Sequence, residues 1–348
     1  MLLTHPRETT PMQKIKTRLL ELLNLNIPIF QGPMAGATTP QLASAVANHG
    51  GLGMVPPGNW PLADCEKIMD ETLALTEPNR ALGVNLILEW DQNERLEMSL
   101  KKGFKVIWFF WGDAAPFVEK IHRHGAKVIL TVGSSDEAKR AVDAGVDVIV
   151  TQGWEAGGHV WGEVATMPLV PAVVDAVQGK VPIVAAGGIA DGRGLAAALA
   201  LGAEGVVLGT RLLASFEAGI HQQYKNRIVH AKETDTVYTD IFEKGWPNSY
   251  ARVLYNSTYK RWANAGKPPP GQRPGEHDIL TQISKDRPVP RYSAYMPAPM
   301  MEGDLEPLAN YAGQSAGLVK NIKSVQEILD KVIADAIKQI NICQNLVS

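Results

Sequence analysis

Cysteine is scarce in this chain, since 348 residues include only Cys65 and Cys343. Two cysteines so far apart cannot form the disulfide framework of a small secreted domain. No run of roughly 18 apolar residues occurs, which predicts no membrane-spanning segment. Residues 1–11 are polar and contain proline, unlike a signal peptide. We therefore expect a cytoplasmic protein, with Met12 as the native first residue and residues 1–11 as an extension.

An excess of charge of either sign is also missing. The chain has 34 Lys and Arg against 36 Asp and Glu, a formal net charge of -2. This balance gives no reason to expect nucleic acid or an anionic membrane as a partner. The sequence also lacks zinc-type Cys and His spacing, a P-loop and a Gly-x-Ser-x-Gly elbow, which argues against metal and acyl-transfer chemistry. We expect a small-molecule partner, and the oligomeric state stays open, with a homodimer as one option.

Apolar strand-like runs alternate with amphipathic helix-like stretches over residues 27–217. Several of these stretches end in a glycine just before the next strand, which is typical of short αβ loops. Eight such units predict a TIM (β/α)8 barrel rather than an open doubly wound sheet. The eight strands are expected at residues 27–31, 53–55, 82–86, 106–110, 127–132, 146–151, 181–186 and 205–209.

The alternation divides the chain into four parts. Residues 1–26 form an N-terminal extension and barrel entry, and residues 27–217 form the barrel. Residues 218–310 are richer in Pro, Tyr, Trp and charge, and they predict a smaller, partly helical lid inserted after strand eight. Residues 311–348 are expected to return to the barrel and to pack a helix on its outside.

Two glycine motifs follow the last two predicted strands: Gly187-Gly188 follows strand seven, and Gly209-Thr210 follows strand eight. Active sites of this fold lie at the C-terminal ends of the strands, and the loops after strands seven and eight commonly bind phosphate through backbone N–H groups. The alternative for each pair is a tight turn needed only for packing. Their joint placement favours a phosphate site.

A histidine and two amides also fall at strand ends. His159 follows Gly157 and Gly158 after strand six, where an imidazole can take a proton from carbon or stabilise an anionic substrate near neutral pH. Asn85 and Gln152 end strands three and six, where amides can hydrogen-bond a heterocycle. The alternatives are a structural histidine and ordinary loop hydrogen bonding.

Aromatic residues near these strand ends are candidates for a substrate pocket. Trp111 follows strand four and is a candidate pocket wall. Tyr292 and Tyr295 of the lid could cover the pocket, with surface packing as the alternative.

Six motifs in order along the chain resemble the nitronate monooxygenases, formerly called 2-nitropropane dioxygenases, which are FMN-dependent barrel enzymes. The motifs lie at residues 27–35, 83–85, 152–159, 184–192, 208–211 and 311–314. The resemblance implies FMN as the cofactor and His159 as the active-site histidine. The residues implied to contact FMN are Met34, Ala35, Asn85, Gln152, Gly157, Gly158, Gly187, Gly188, Gly209, Thr210 and Gln314.

The activity implied by the resemblance is oxidation of an alkyl nitronate, or a nitroalkane, by oxygen to a carbonyl compound and nitrite. His159 would position the nitronate or deprotonate the nitroalkane, while FMN supplies the redox chemistry. The superfamily also includes NAD(P)H-dependent flavin reductases, namely enoyl-acyl-carrier reductases and quinone reductases, and these remain an alternative. A non-catalytic flavin- or phosphate-binding protein is another.

The histidine loop departs from the family pattern. That pattern commonly runs Gly-Gly-His-x-Gly, whereas this chain has two residues, Val160 and Trp161, between His159 and Gly162. We expect the added residue to place Trp161 beside the histidine and to reshape the substrate pocket.

Overall fold

Eight parallel strands form the centre of the structure, a computed structural model that describes residues 14–242, 246 and 249–347. Their hydrogen-bonded order is β1-β9-β8-β6-β5-β4-β3-β2, and β7 lies outside this sheet. The proposed start at Met12 falls outside the described residues. The strands are β1 (Ile29–Gln31), β2 (Gly53–Val55), β3 (Leu82–Ile87), β4 (Val106–Phe110), β5 (Lys127–Val132), β6 (Val148–Gln152), β7 (Gly158–His159), β8 (Ile183–Ala186) and β9 (Gly205–Leu208).

The sheet closes where β1 meets β2. Phe30 and Leu52 form a parallel bridge, and the Gln31 amide donates to the Leu52 carbonyl at 3.0 Å. The side chain of Gln31, fully buried, continues this ladder: its Nε2 donates to the Met54 carbonyl at 3.1 Å, and its Oε1 accepts from the Met54 amide at 3.1 Å. The prediction of a TIM (β/α)8 barrel is confirmed.

Helices alternate with the strands and lie outside the barrel. Polar N-caps start several of them, as where the Asp191 carboxylate accepts from the Arg193 and Gly194 amides. Glycines with positive φ end others, such as Gly145 at +88° and Gly202 at +94°. The helices of this part are α1 (Arg18–Leu23), α2 (Pro40–Asn48), α3 (Leu62–Leu75), α4 (Asn93–Lys101), α5 (Ala115–Arg123), α6 (Ser135–Asp143), α7 (Thr166–Val177), α8 (Gly192–Ala200) and α9 (Thr210–Leu213).

Apolar side chains fill the barrel and the layer between strands and helices. Inside the barrel, Phe30, Trp108 and Val150 pack in one cluster with Leu19 and Leu23 of α1. The helix α1 therefore closes the N-terminal end of the barrel interior. No helix among the described residues has the length and apolarity needed to cross a membrane.

The lid contains more strand than its composition predicts. Within it, β11 pairs antiparallel with β10 and also with β7, where Ala251 faces His159 and Arg252 faces Gly158. The lid is thus hydrogen-bonded to the histidine loop. Its elements are α10 (Gln222–His230), β10 (Thr236–Thr239), β11 (Ala251–Leu254), α11 (Ser257–Asn264), β12 (Ile279–Ser284) and β13 (Arg287–Pro290).

The C-terminal segment returns to the barrel. A short 3-10 helix spans Gln314–Leu318, and α12 (Val325–Gln344) follows, started by a capping box at Ser324. The helix α12 packs against α8 so closely that a Cβ at Gly192 would lie 2.3 Å from the Ala336 amide nitrogen.

The closure at Gln31 leads to a prediction about stability. Replacing Gln31 with Met keeps the size of the side chain but leaves the buried amide and carbonyl of Met54 without these partners. We expect Gln31→Met to lower the free energy of unfolding by about 1–3 kcal/mol, measured by urea unfolding. Gln344→Met, at the exposed end of α12, is the control, and equal stability of the two variants would contradict this role.

Candidate active site

A cavity of about 460 Å³ lies at the C-terminal ends of the barrel strands. Its volume falls within the range of roughly 300–1,000 Å³ typical of ligand sites. The lid contributes Ala294, Tyr295 and Met296 to the walls, and Tyr311 of the return segment completes them.

The cavity brings together residues from distant parts of the chain. His159 lines it, as do ten of the eleven residues expected to contact FMN. Those ten are Met34, Ala35, Asn85, Gln152, Gly157, Gly158, Gly187, Gly188, Gly209 and Thr210.

The two glycine motifs form one end of the cavity. Gly187 and Gly188 have φ of +98° and +72°, which favours glycine over other residues. A Cβ at Gly209 would meet no atom within 4 Å, although Gly209 lines the cavity. The backbone there faces open space next to the start of α9, where N–H groups can donate to an anion. These residues fit a flavin phosphate.

Gly157 and Gly158 of the histidine loop favour glycine for different reasons, which are close packing at Gly157 and a positive φ at Gly158. A Cβ at Gly157 would lie 2.2 Å from the Gly313 nitrogen, so Gly157 is required for packing against the return segment rather than for approach to a ligand. Gly158 has φ of +74°, and a Cβ there would meet nothing within 4 Å. Both glycines line the cavity, and their expected close approach to a flavin stays a prediction.

The side-chain amides of Asn85 and Gln152 form hydrogen bonds with other groups of the protein. Asn85 Nδ2 donates to the Trp108 carbonyl at 2.9 Å, which orients its amide on the neighbouring strand. Gln152 Nε2 donates to the His159 carbonyl at 3.1 Å, and its Oε1 accepts from the Trp161 amide at 2.9 Å. Gln152 thus holds the histidine loop, a role that strand-end position alone did not predict.

His159 lies within a group of aromatic rings. Its ring centroid is 3.9 Å from that of Trp246, 5.6 Å from that of Tyr311 and 6.3 Å from that of Trp111. Its Nε2 is buried and has no hydrogen-bond partner among the described residues. Burial away from water lowers the pKa of His159 from 6.5 to about 3. The imidazole is therefore neutral at pH 7, with one N–H and one lone pair.

Gln314 and both candidate pocket tryptophans, Trp111 and Trp161, do not line the cavity. Gln314 is exposed, and the buried Ser315 beside it lines the cavity instead. Trp111, with φ of +66°, has its ring edge-on to His159 and does not line the cavity. Trp161 donates from Nε1 to the Glu137 carboxylate at 3.0 Å, so the added loop residue ties the loop to α6 rather than reshaping the cavity.

Of the two lid tyrosines, only Tyr295 lines the cavity. Tyr292 is buried within the lid, where its hydroxyl donates to the Pro274 carbonyl at 3.0 Å, and it does not line the cavity. Tyr295 does line the cavity and is partly exposed at its mouth.

Sequence reasoning missed several lining residues, above all Trp60, Trp90 and Trp246. Trp90 lies three residues past the end of β3, so the strand-end rule could have included it. Trp246 belongs to the lid, where no periodic pattern identifies the residues that face the barrel. Its position depends on tertiary packing alone.

Comparison with known proteins places this arrangement in a family. The family model for nitronate monooxygenase matches residues 16–93 and 61–335. A probable nitronate monooxygenase of Staphylococcus saprophyticus is 36% identical over 66% of this chain and 76% of its own length. The chain therefore belongs to the nitronate monooxygenase family, and it is an oxidoreductase.

Two other relatives match nearly the whole chain. The (3aS,4S,5R,7aS)-5-hydroxy-7a-methyl-1-oxo-octahydro-1H-indene-4-carboxyl-CoA dehydrogenase of Mycobacterium tuberculosis is 30% identical over 96% of this chain and 99% of its own. The structure of FabK from Thermotoga maritima is similar at 34% identity and a TM-score of 0.82, covering 96% of this chain and 100% of that one. The chain is thus similar to proteins whose names give different activities.

The open space at Gly209 allows a test of the phosphate site. A Val side chain there would enter the cavity without meeting protein atoms at its Cβ, so we expect Gly209→Val to fold normally. The added side chain would occupy space needed by the phosphate, so we expect the affinity for flavin to fall roughly tenfold or more, which corresponds to about 1.4 kcal/mol of binding free energy. The ratio of flavin to protein absorbance measures this.

The control is Gly125→Ala, outside the cavity lining, at a positive φ of +66° with open space around its Cβ. It should lose stability but keep its flavin. Full flavin content in Gly209→Val would contradict the assignment.

The burial of His159 predicts a pH dependence of stability. Below pH 6.5 the unfolded chain takes up a proton at His159, while the folded chain does so only near pH 3. Stability from this residue is therefore complete above pH 6.5 and is lost as the pH falls toward 3, by roughly 1–2 kcal/mol at pH 5. We expect the thermal midpoint of His159→Phe to drop less between pH 7 and pH 5 than that of the unchanged protein.

The exposed His277 supplies the control for this comparison. His277→Phe should show the same loss as the unchanged protein over the same pH interval. A His159→Phe variant with an equally large loss would show that His159 is not the group responsible.

Proposed function

We propose that the protein is an FMN-dependent enzyme that oxidises alkyl nitronates with oxygen to carbonyl compounds and nitrite. Two nitronate anions and one dioxygen give two carbonyl compounds and two nitrite ions, which balances atoms and charge. Membership of the nitronate monooxygenase family supports this reaction. The observation that carries it is a neutral, unpartnered imidazole in a cavity with a glycine-lined phosphate end.

The cofactor would be held mainly by backbone and hydroxyl groups. Gly187, Gly188 and Gly209 would offer N–H groups to its phosphate, together with the hydroxyls of Thr210 and Ser315. Asn85 would offer its amide oxygen to the ring system, on the other side of the cavity. When bound, FMN supplies the electron transfer between nitronate and oxygen.

His159 would act as a hydrogen-bond donor to the nitronate rather than as a base. With a pKa near 3, its imidazole binds a proton too weakly at pH 7 to remove one efficiently from a nitroalkane carbon. A neutral imidazole can still donate its N–H to a nitronate oxygen. The preformed nitronate is then the substrate, and a neutral nitroalkane reacts poorly.

A second candidate is an NAD(P)H-dependent flavin reductase. The observation in its favour is that FabK and the CoA dehydrogenase, neither of them named a nitronate monooxygenase, align with almost the whole chain at 34% and 30% identity. Anaerobic mixing with NADH and NADPH separates the candidates. Rapid bleaching of the flavin would favour the reductase.

Variants at His159 test the donor role. His159→Leu removes the N–H and should lower kcat/KM for ethyl nitronate roughly tenfold or more, as expected for a lost hydrogen bond to a charged group. His159→Asn keeps a donor and should retain more of this activity. Oxygen consumption and nitrite release measure both, and the unchanged enzyme should prefer the nitronate to nitroethane.

If nitroethane were used as well as its nitronate and His159→Asn lost only the nitroethane reaction, His159 would be a base. If no nitronate consumed oxygen, the proposed function would fail.

A further inference from the structure

The cavity has no Lys, Arg, Asp or Glu among the described residues that line it. His159, its most basic side chain, is held neutral by burial. The hydroxyl of Tyr311 donates to the Ala294 carbonyl at 2.9 Å, and burial raises its pKa, so this side chain also stays uncharged.

The end of the cavity remote from the glycine motifs is aromatic. In the closed order of strands, β3 and β4 lie across the barrel from β8 and β9. Ile87 ends β3, with Trp90 three residues further on, and Phe110 ends β4; all three line the cavity. A ligand with its phosphate at the β8–β9 end and its ring system at Asn85 leaves the residues at and beyond the strand ends, above all Trp90, for the other reactant.

Trp90 and Trp246 form the wall of this aromatic end. Their ring centroids are 4.9 Å apart with the planes at 55°, and Trp246 continues the contact to His159. Trp246 is 7% exposed, and its Nε1 is buried without a hydrogen-bond partner among the described residues. The wall links the reacting imidazole directly to an apolar surface.

An ion is a poor occupant of such a space. Moving a carboxylate from water into a site without a cation or several donors is strongly unfavourable. Planar apolar groups, in contrast, gain from contact with tryptophan rings in tilted or stacked arrangements. The lining therefore favours a nitronate with an uncharged planar substituent over a nitronate with a carboxylate, although the reacting group is the same in both.

We propose that the substrate carries an uncharged aromatic or planar apolar substituent, which lies against Trp90 and Trp246, and that nitronates with a carboxylate are rejected. The assignment of the reacting group rests on the proposed function. The assignment of the substituent rests on the lining alone.

Turnover of two nitronates tests the proposal in the flavin-loaded enzyme. We expect kcat/KM for the nitronate of phenylnitromethane to exceed that for propionate 3-nitronate at least tenfold. Trp90→Leu and Trp246→Leu should reduce this preference mainly by raising KM for the aromatic nitronate. Phe216→Leu, at a side chain that is 65% exposed and outside the lining, should keep it. Equal or better use of propionate 3-nitronate would overturn the proposal.

Binding to the unchanged holoenzyme gives a second test that does not depend on turnover or on folding of a variant. Phenylacetate and succinate each carry a carboxylate that can take the place of the nitronate, and they differ in the group that would lie against Trp90 and Trp246, a phenyl ring or a second carboxylate. Calorimetric titration compares their affinities, and we expect phenylacetate to bind at least tenfold more tightly. If no nitronate is oxidised but phenylacetate is preferred, only the proposed function fails. If succinate binds equally well, the substituent assignment fails.

Discussion

The site depends on the hydrogen bonding that joins the barrel, the histidine loop and the lid. The short strand β7 pairs with β11 of the lid, while Gln152 at the end of β6 binds the loop through both ends of its carboxamide. Arg252 of β11 adds to this link, because its Nη2 donates to the Trp154 carbonyl at 3.0 Å and its guanidinium lies 4.3 Å from the Trp154 ring centroid. Both parts of the fold thus hold His159.

Burial is the consequence of that link and also the source of the site's chemistry. Because Trp246 of the lid and Tyr311 of the return segment flank the imidazole, its Nε2 is buried, its pKa is lowered and the histidine stays neutral. The same enclosure leaves a lining without charged groups among the described residues. Recognition then relies on backbone N–H groups at the glycine end and on ring surfaces at the other.

The periodic parts of the chain were predictable, and the lid was not. All eight barrel strands were located within two residues at their ends, because buried parallel strands are continuous apolar runs bounded by glycines. Gly187, Gly188 and Gly209 were identified because their place after the last two strands has a physical meaning in this fold. The sheet of β7, β10 and β11 was missed, since its strands have only two to four residues and β7 pairs with a strand about 90 residues further along the chain.

The sequence by itself determined the barrel, the position of the two glycine motifs after the last two strands and the position of His159 after β6, because these follow from local periodicity and from the geometry of parallel strands. Only the tertiary structure decided the state of that histidine and the character of its surroundings. Trp246 comes from a segment remote in sequence, Ser315 takes the place expected of Gln314, and Trp161 turns away to Glu137. Such contacts depend on how separate elements pack, and no local pattern records them.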